Sequence, residues 1–215
     1  MPQPPAVVRV RGEATADHAP DRATLAVHVR ESSPDSRSAA LARASEVTAH
    51  LRSALDGAEG VRRVVLSRVS VHEQWSWDPG AGTNQRAGWE ATVGGTVEVD
   101  AGAVPEVAEV VAAAGAGIGG VSWELDDTAA VRRAVRRAAV DAAREAATDL
   151  ADAVGRPLGP LRELADPGLS SAAPGGPETM AAMTRGSVGG GPSLDLDPQD
   201  VTVSAVVEAT YALED

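Results

Sequence analysis

The chain is 215 residues long, carries no Cys and no Phe, and has a formal net charge of −12. Without Cys there is no disulfide and no thiolate chemistry, and so large an acid surplus repels phosphate backbones, which argues against general nucleic-acid binding. The apolar runs fall far short of the roughly 20 residues that cross a bilayer as a helix, so no membrane span is expected.

Residues 6–11, AVVRVR, alternate and are rich in β-branched side chains, the signature of a strand. Gly12 permits a bend or bulge, and the strand resumes through EATADHA to a turn at Pro20-Asp21. In RATLAVHVR (22–30), Ala23, Leu25, Val27 and Val29 share one face and Thr24, Ala26 and His28 the other, a half-buried strand. Ser33-Pro34 reads as an N-cap followed by proline in the first helical turn. That helix runs to Leu55 on a stripe of Ala40, Ala44, Val47 and Leu51, and Asp56-Gly57 ends it. VVLSRVSVHEQW (64–75) and WEATVGGTVEVD (89–100) are a third and a fourth strand, joined by a long hairpin loop over 74–88.

A short helix at 104–114 precedes a strand near GVSWEL (120–125). Asp126-Asp127-Thr128 caps a long Ala-rich helix, and Gly155 and Pro157 stop it. PLGPLREL is a short strand or extended segment. Residues 166–200, rich in Gly, Pro, Ser and Ala, read as a mobile loop. VTVSAVVEATYAL (201–213) closes the chain as a strand that needs a pairing partner. The order ββαββαβαβ predicts an α+β fold with a largely antiparallel sheet, two longer helices and one short helix. The chain is expected to be one domain over 1–215, with 166–200 as an insertion.

Four stretches, in order, resemble the SIMPL-domain family. They are VRVRGEATADHAPDRATLAVHV (8–29), GWEATVGGTVEV (88–99), GAGIGGVSWELDD (115–127), and the Ala-rich helix running into LADAVGRPLGPLREL (150–164) together with the last strand. The resemblance implies an α+β domain that tends to oligomerise. Many members belong to the bacterial envelope; bacterial members are linked to stress tolerance and an animal member to kinase signalling. It carries no catalytic residue onto this chain. Two features depart from the family pattern: no signal peptide is visible in MPQPPAVVRVRGEA, and DPQD (197–200) stands where Pro-Gly often precedes the last strand. The first points to a cytoplasmic protein, or an envelope or secreted one if the chain is a processed form. All 19 cations are Arg, with one Ile and one Asn, the codon bias of a GC-rich bacterial genome.

The chemical motifs are sparse. GAGIGG places glycines at 115, 117 and 120 in the dinucleotide spacing, but a helix precedes and a strand follows, the inverse of the context a pyrophosphate needs. His18, His28, His50 and His72 show no metal-ligand spacing, although His28 and His72 could meet across strands. No nucleophile elbow occurs, and spacing singles out no carboxylate pair. No cofactor, no metal and no catalytic residue are therefore expected.

Two groups remain. Trp75 and Trp77 lie two apart on a strand and so share one face. They either hold a ligand or partner, or cover the domain's own sheet. In the long helix, Val131, Val135, Ala138, Ala142, Ala146, Leu150 and Ala153 form a small-residue stripe read as the core face, with Arg132, Arg133, Arg136 and Arg137 as a basic patch on its flank. Arginines in the first turns and Asp149 and Asp152 in the last run against the helix macrodipole, so acids from elsewhere in the fold or from another subunit are expected to compensate. The leading expectation is a non-enzymatic homo-oligomeric scaffold or binding protein with an unknown protein partner. One alternative is a small-ligand-binding or enzymatic domain with its site near the 74–88 arm and the 166–200 loop. Another is a regulator that docks acidic partners through the Arg patch.

Overall fold

The computed structural model describes residues 6–80, 82–167 and 196–214. It is an α+β fold with two antiparallel sheets and three α-helices among these residues. They gather into two compact units rather than around one sheet.

One unit holds β1 (Val7–His18), α3 (Thr128–Ala153), β6 (Leu158–Ala165) and β7 (Val201–Leu213). Its sheet has the order β1-β7-β6, so the last strand is central and has a partner on both edges. β1 runs through Gly12 without a bulge, in continuous register from Val7↔Ala212 to His18↔Val201. The glycine answers to packing instead. A Cβ there would run into the Ala139 carbonyl oxygen and lie 2.6 Å from Ala143 Cβ, so α3 rests on β1 at this point. Gly12 pairs with Val207, which puts Val203, Ala205, Val207, Ala209 and Tyr211 on the α3 face, where all five are buried.

α3 begins at Asp127, whose carboxylate accepts the Ala130 N–H at 2.8 Å, and Gly155, at φ +69, follows its end. Its buried stripe is Val135, Ala139, Ala143, Ala147 and Ala151. This corrects the sequence reading by one residue along most of the helix. Ala138, Leu150 and Ala153 are exposed, Leu150 by 49%, and Val131, Ala142 and Ala146 are half-buried. Methyl-sized side chains let the helix sit low on the sheet.

The other unit holds β2 (Arg22–Ser33), α1 (Arg37–Asp56), β3 (Val61–Asp78), β4 (Thr83–Asp100), α2 (Val104–Ala113) and β5 (Gly117–Glu124), with a 3-10 turn at Ala101–Ala103. The sheet order is β3-β4-β2-β5. Strict alternation on β2 (Ala23, Leu25, Val27, Val29) and β4 (Ala91, Val93, Val97, Val99) supplies the inner face. α1 adds Ala40, Ala44, Leu51 and Leu55 to that core, and α2 adds Val104, Val107, Ala108 and Val111. The expected N-cap at Ser33 is not one. Ser33 ends β2 opposite Trp89, is buried, and accepts the Asp35 N–H at 3.3 Å. Ser36 caps α1 instead, accepting the Ala39 N–H at 3.1 Å. Val47 of the predicted stripe is only half-buried.

The segment expected to be a mobile loop lies outside the described residues over 168–195.

Candidate functional site

The 74–88 segment is strand for most of its length. β2 stops pairing with β4 at Ser33↔Trp89, whereas β3 and β4 continue pairing to Asp78↔Thr83. The five pairs beyond Trp89 form a two-stranded arm that reaches roughly 17 Å past the sheet at about 3.3 Å per residue. Asp78 builds its tip. Its carbonyl accepts the Gly82 N–H at 2.9 Å, and its carboxylate accepts the Gly80 N–H at 2.8 Å and the Gln85 amide at 2.9 Å. A bulge between Gln74 and Trp75 sets off the arm from the sheet.

The arm is two-faced. Glu73, Trp75 and Trp77 alternate onto one side of β3, opposite Trp89, Arg86 and Asn84 of β4. Arg86 lies 3.6 Å from Glu73 and 5.7 Å from the Trp89 ring centroid, a cation–π contact that anchors the base of this face. Farther out the two indoles are bare: Trp75 is 59% exposed and Trp77 62%. The other face is polar, with Ser76 and Gln85 paired and Gln74 donating to Glu90 at 2.8 Å.

Arg132, Arg133, Arg136 and Arg137 are exposed on the first half of α3. They belong to the other unit.

The remaining motifs resolve into packing. Gly115, at φ +81, ends α2, and Gly117 opens β5. A Cβ on Gly117 would sit 2.6 Å from His28 Nε2, so the glycine makes room for that ring. His28 pairs with Gly94 and His72 with Glu90, on opposite edges of β4 and four residues apart along it, so the two histidines do not meet. Among the described residues no three His, Cys, Asp or Glu side chains cluster as metal ligands. No helix among them is long and apolar enough to cross a membrane. Three open grooves of about 520, 490 and 430 Å³ are lined by residues other than Trp75 and Trp77. The last lies among His28, Arg68, Ser70, Thr92 and Gly94.

One charged assembly was not legible in the sequence. Arg22 donates to Glu124 at 2.8 Å and to Asp126 at 3.0 Å; Arg62 donates to Asp100 at 2.6 Å and to Asp126 at 2.8 Å. The Asp21 carboxylate accepts the Asp126 N–H at 2.9 Å. Strand ends that are distant in sequence are thereby tied at one end of the sheet. Hydrogen bonds from Arg22 hold Glu124 below the usual carboxylate range, with help from Thr24 and against desolvation. Hydrogen bonds from Arg62 do the same for Asp126. The same bonds raise both guanidinium pKa values. Each carboxylate is held in an ion pair.

The model of the SIMPL family, a protein of unknown function (DUF541), matches residues 8–211 of this α+β chain. The chain belongs to the SIMPL family. A comparison with curated proteins finds no match.

Proposed function

We propose that the chain is a non-enzymatic scaffold or binding protein that works as an oligomer and meets a second copy of itself through the tryptophan arm. The observation that carries this reading is the pair of bare indoles on one face of a projecting two-stranded ribbon. An isolated hairpin is marginal in water, and large exposed apolar groups on a soluble chain mark interaction sites. An indole offers about 150–250 Å². With Trp75 and Trp77 at 59% and 62% exposed, roughly 240 Å² per copy is open to burial. That corresponds to about 6 kcal/mol at 25 cal/mol/Å², before the losses of association are subtracted. Tryptophan is also the residue most enriched where interfaces are strongest.

The test is light scattering on the wild type and on Trp75→Ser/Trp77→Ser. The expected result is a dimer or larger species that grows as moderate salt screens the −12 charge. The double variant should lower its mass while far-UV circular dichroism stays native. A wild type that is monomeric at high concentration, or a double variant that unfolds, overturns the reading.

A further inference from the structure

Steps of four along α3 sort its side chains into parallel rows. The buried row is Val135, Ala139, Ala143, Ala147 and Ala151. Two residues away, about 200° around the helix, runs an exposed outer row: Arg133, Arg137, Asp141, Glu145 and Asp149. Its charges read plus, plus, minus, minus, minus over about 24 Å of helix. Beside it lies a row of Ala134, Ala138, Ala142, Ala146 and Leu150, of which Ala134, Ala138 and Leu150 are exposed.

Among the described residues none of the five forms an ion pair, although Arg137 and Asp141 stand at the helical spacing that permits one. In an antiparallel second copy the two arginines at one end of the row meet the last two acids at the other, and the axis passes at Asp141, which stands beside its own counterpart.

We propose that α3 pairs with α3 of a second copy in antiparallel fashion about a two-fold axis. The alanine row forms the seam, and Arg133 and Arg137 of one copy face Asp149 and Glu145 of the other. Small seam residues allow the axes to approach to about 8 Å. Charged residues beside such a seam set partner and orientation, and in an antiparallel pair the same flank of each helix meets itself. The contact is isologous, so it closes at two copies. The surface is distinct from the arm and does not depend on it.

The experiment silences the arm by carrying Trp75→Ser/Trp77→Ser in every protein. Variant one adds Arg133→Glu/Arg137→Glu; variant two adds Glu145→Arg/Asp149→Arg; variant three adds all four. All substitutions lie on the exposed row, and circular dichroism checks that each protein is folded. By analytical ultracentrifugation at low salt, variants one and two are each expected to be monomeric. Their equimolar mixture should form a heterodimer, and variant three a homodimer. Dissociation constants should rise at least tenfold between low salt and about 0.5 M salt, because screening removes the pairing. This is the opposite salt response to that of the arm. A mixture that stays monomeric, or a variant three that fails to self-associate, overturns the antiparallel pairing. So does homodimer formation by variant one or two alone.

Discussion

The seat of α3 on β1 can be tested by adding one methyl group at Gly12. Its backbone is in an ordinary region, since the positive-φ glycines among the described residues are Gly60, Gly82, Gly88, Gly115 and Gly155. Gly12→Ala therefore carries no conformational penalty, and restricting the unfolded chain contributes about 0.5–1 kcal/mol in its favour. The steric term opposes this. The new methyl would run into the Ala139 carbonyl oxygen and lie 2.5 Å from Ala143 N and 2.6 Å from Ala143 Cβ. Carbon contacts rest near 3.5–4.0 Å, so α3 must lift by roughly 1 Å and loosen its buried alanine row. Overpacking of that kind costs about 1–3 kcal/mol, occasionally more, which leaves a net destabilisation of about 0–2.5 kcal/mol once the entropic gain is subtracted. Gly57→Ala is the control: it sits at φ −101 with nothing within 4 Å of the new Cβ, and should be neutral or stabilise by up to about 1 kcal/mol. Urea unfolding followed at 222 nm reads the helices of both units, while indole fluorescence reads only the other unit, where Trp75, Trp77, Trp89 and Trp123 all reside. A Gly12→Ala protein more stable than wild type by about 0.5–1 kcal/mol, the full entropic gain with no steric cost, would refute the contact.

Ala147→Asp should destabilise by several kcal/mol, because it buries an unpaired charge beneath α3, whereas Leu150→Asp, at a position 49% exposed, should stay within about 1 kcal/mol. Equal losses in thermal or urea unfolding, measured at dilution where the chain is monomeric, would contradict the assigned face. Glu124 and Asp126 titrate below their ordinary values of 4.5 and 3.8 when folded. The unfolded chain then binds more protons in that window, so their contribution is complete above about pH 5 and is lost as pH falls through the depressed values. Asp126→Asn should flatten the acid limb of a stability-against-pH curve below pH 5 and leave its shape at pH 6–8 unchanged; an unchanged acid limb would count against the ion pairs.

The strands and helices were legible because their signals are local. Alternation in RATLAVHVR and VTVSAVVEATYAL needs no partner to be read, and Asp127 announces the start of α3 through its own hydrogen bond to Ala130 N. The shared face of Trp75 and Trp77 likewise follows from period two alone. Their exposure does not. It depends on β2 ending at Ser33 while β3 and β4 run on, a comparison of strand lengths across the sheet. Which row of α3 is buried was equally beyond the sequence. The paired alanines at 138–139, 142–143 and 146–147 offer two neighbouring rows of nearly equal hydrophobicity. Gly12, more than a hundred residues away, chooses between them by admitting the backbone of Ala139 and Ala143. The division into two sheets was decided the same way, by β1 pairing with β7 and β2 with β4 and β5. Local preference fixes what each segment becomes. Pairing, register and close approach are long-range choices among nearly equivalent local options, and only the folded chain makes them.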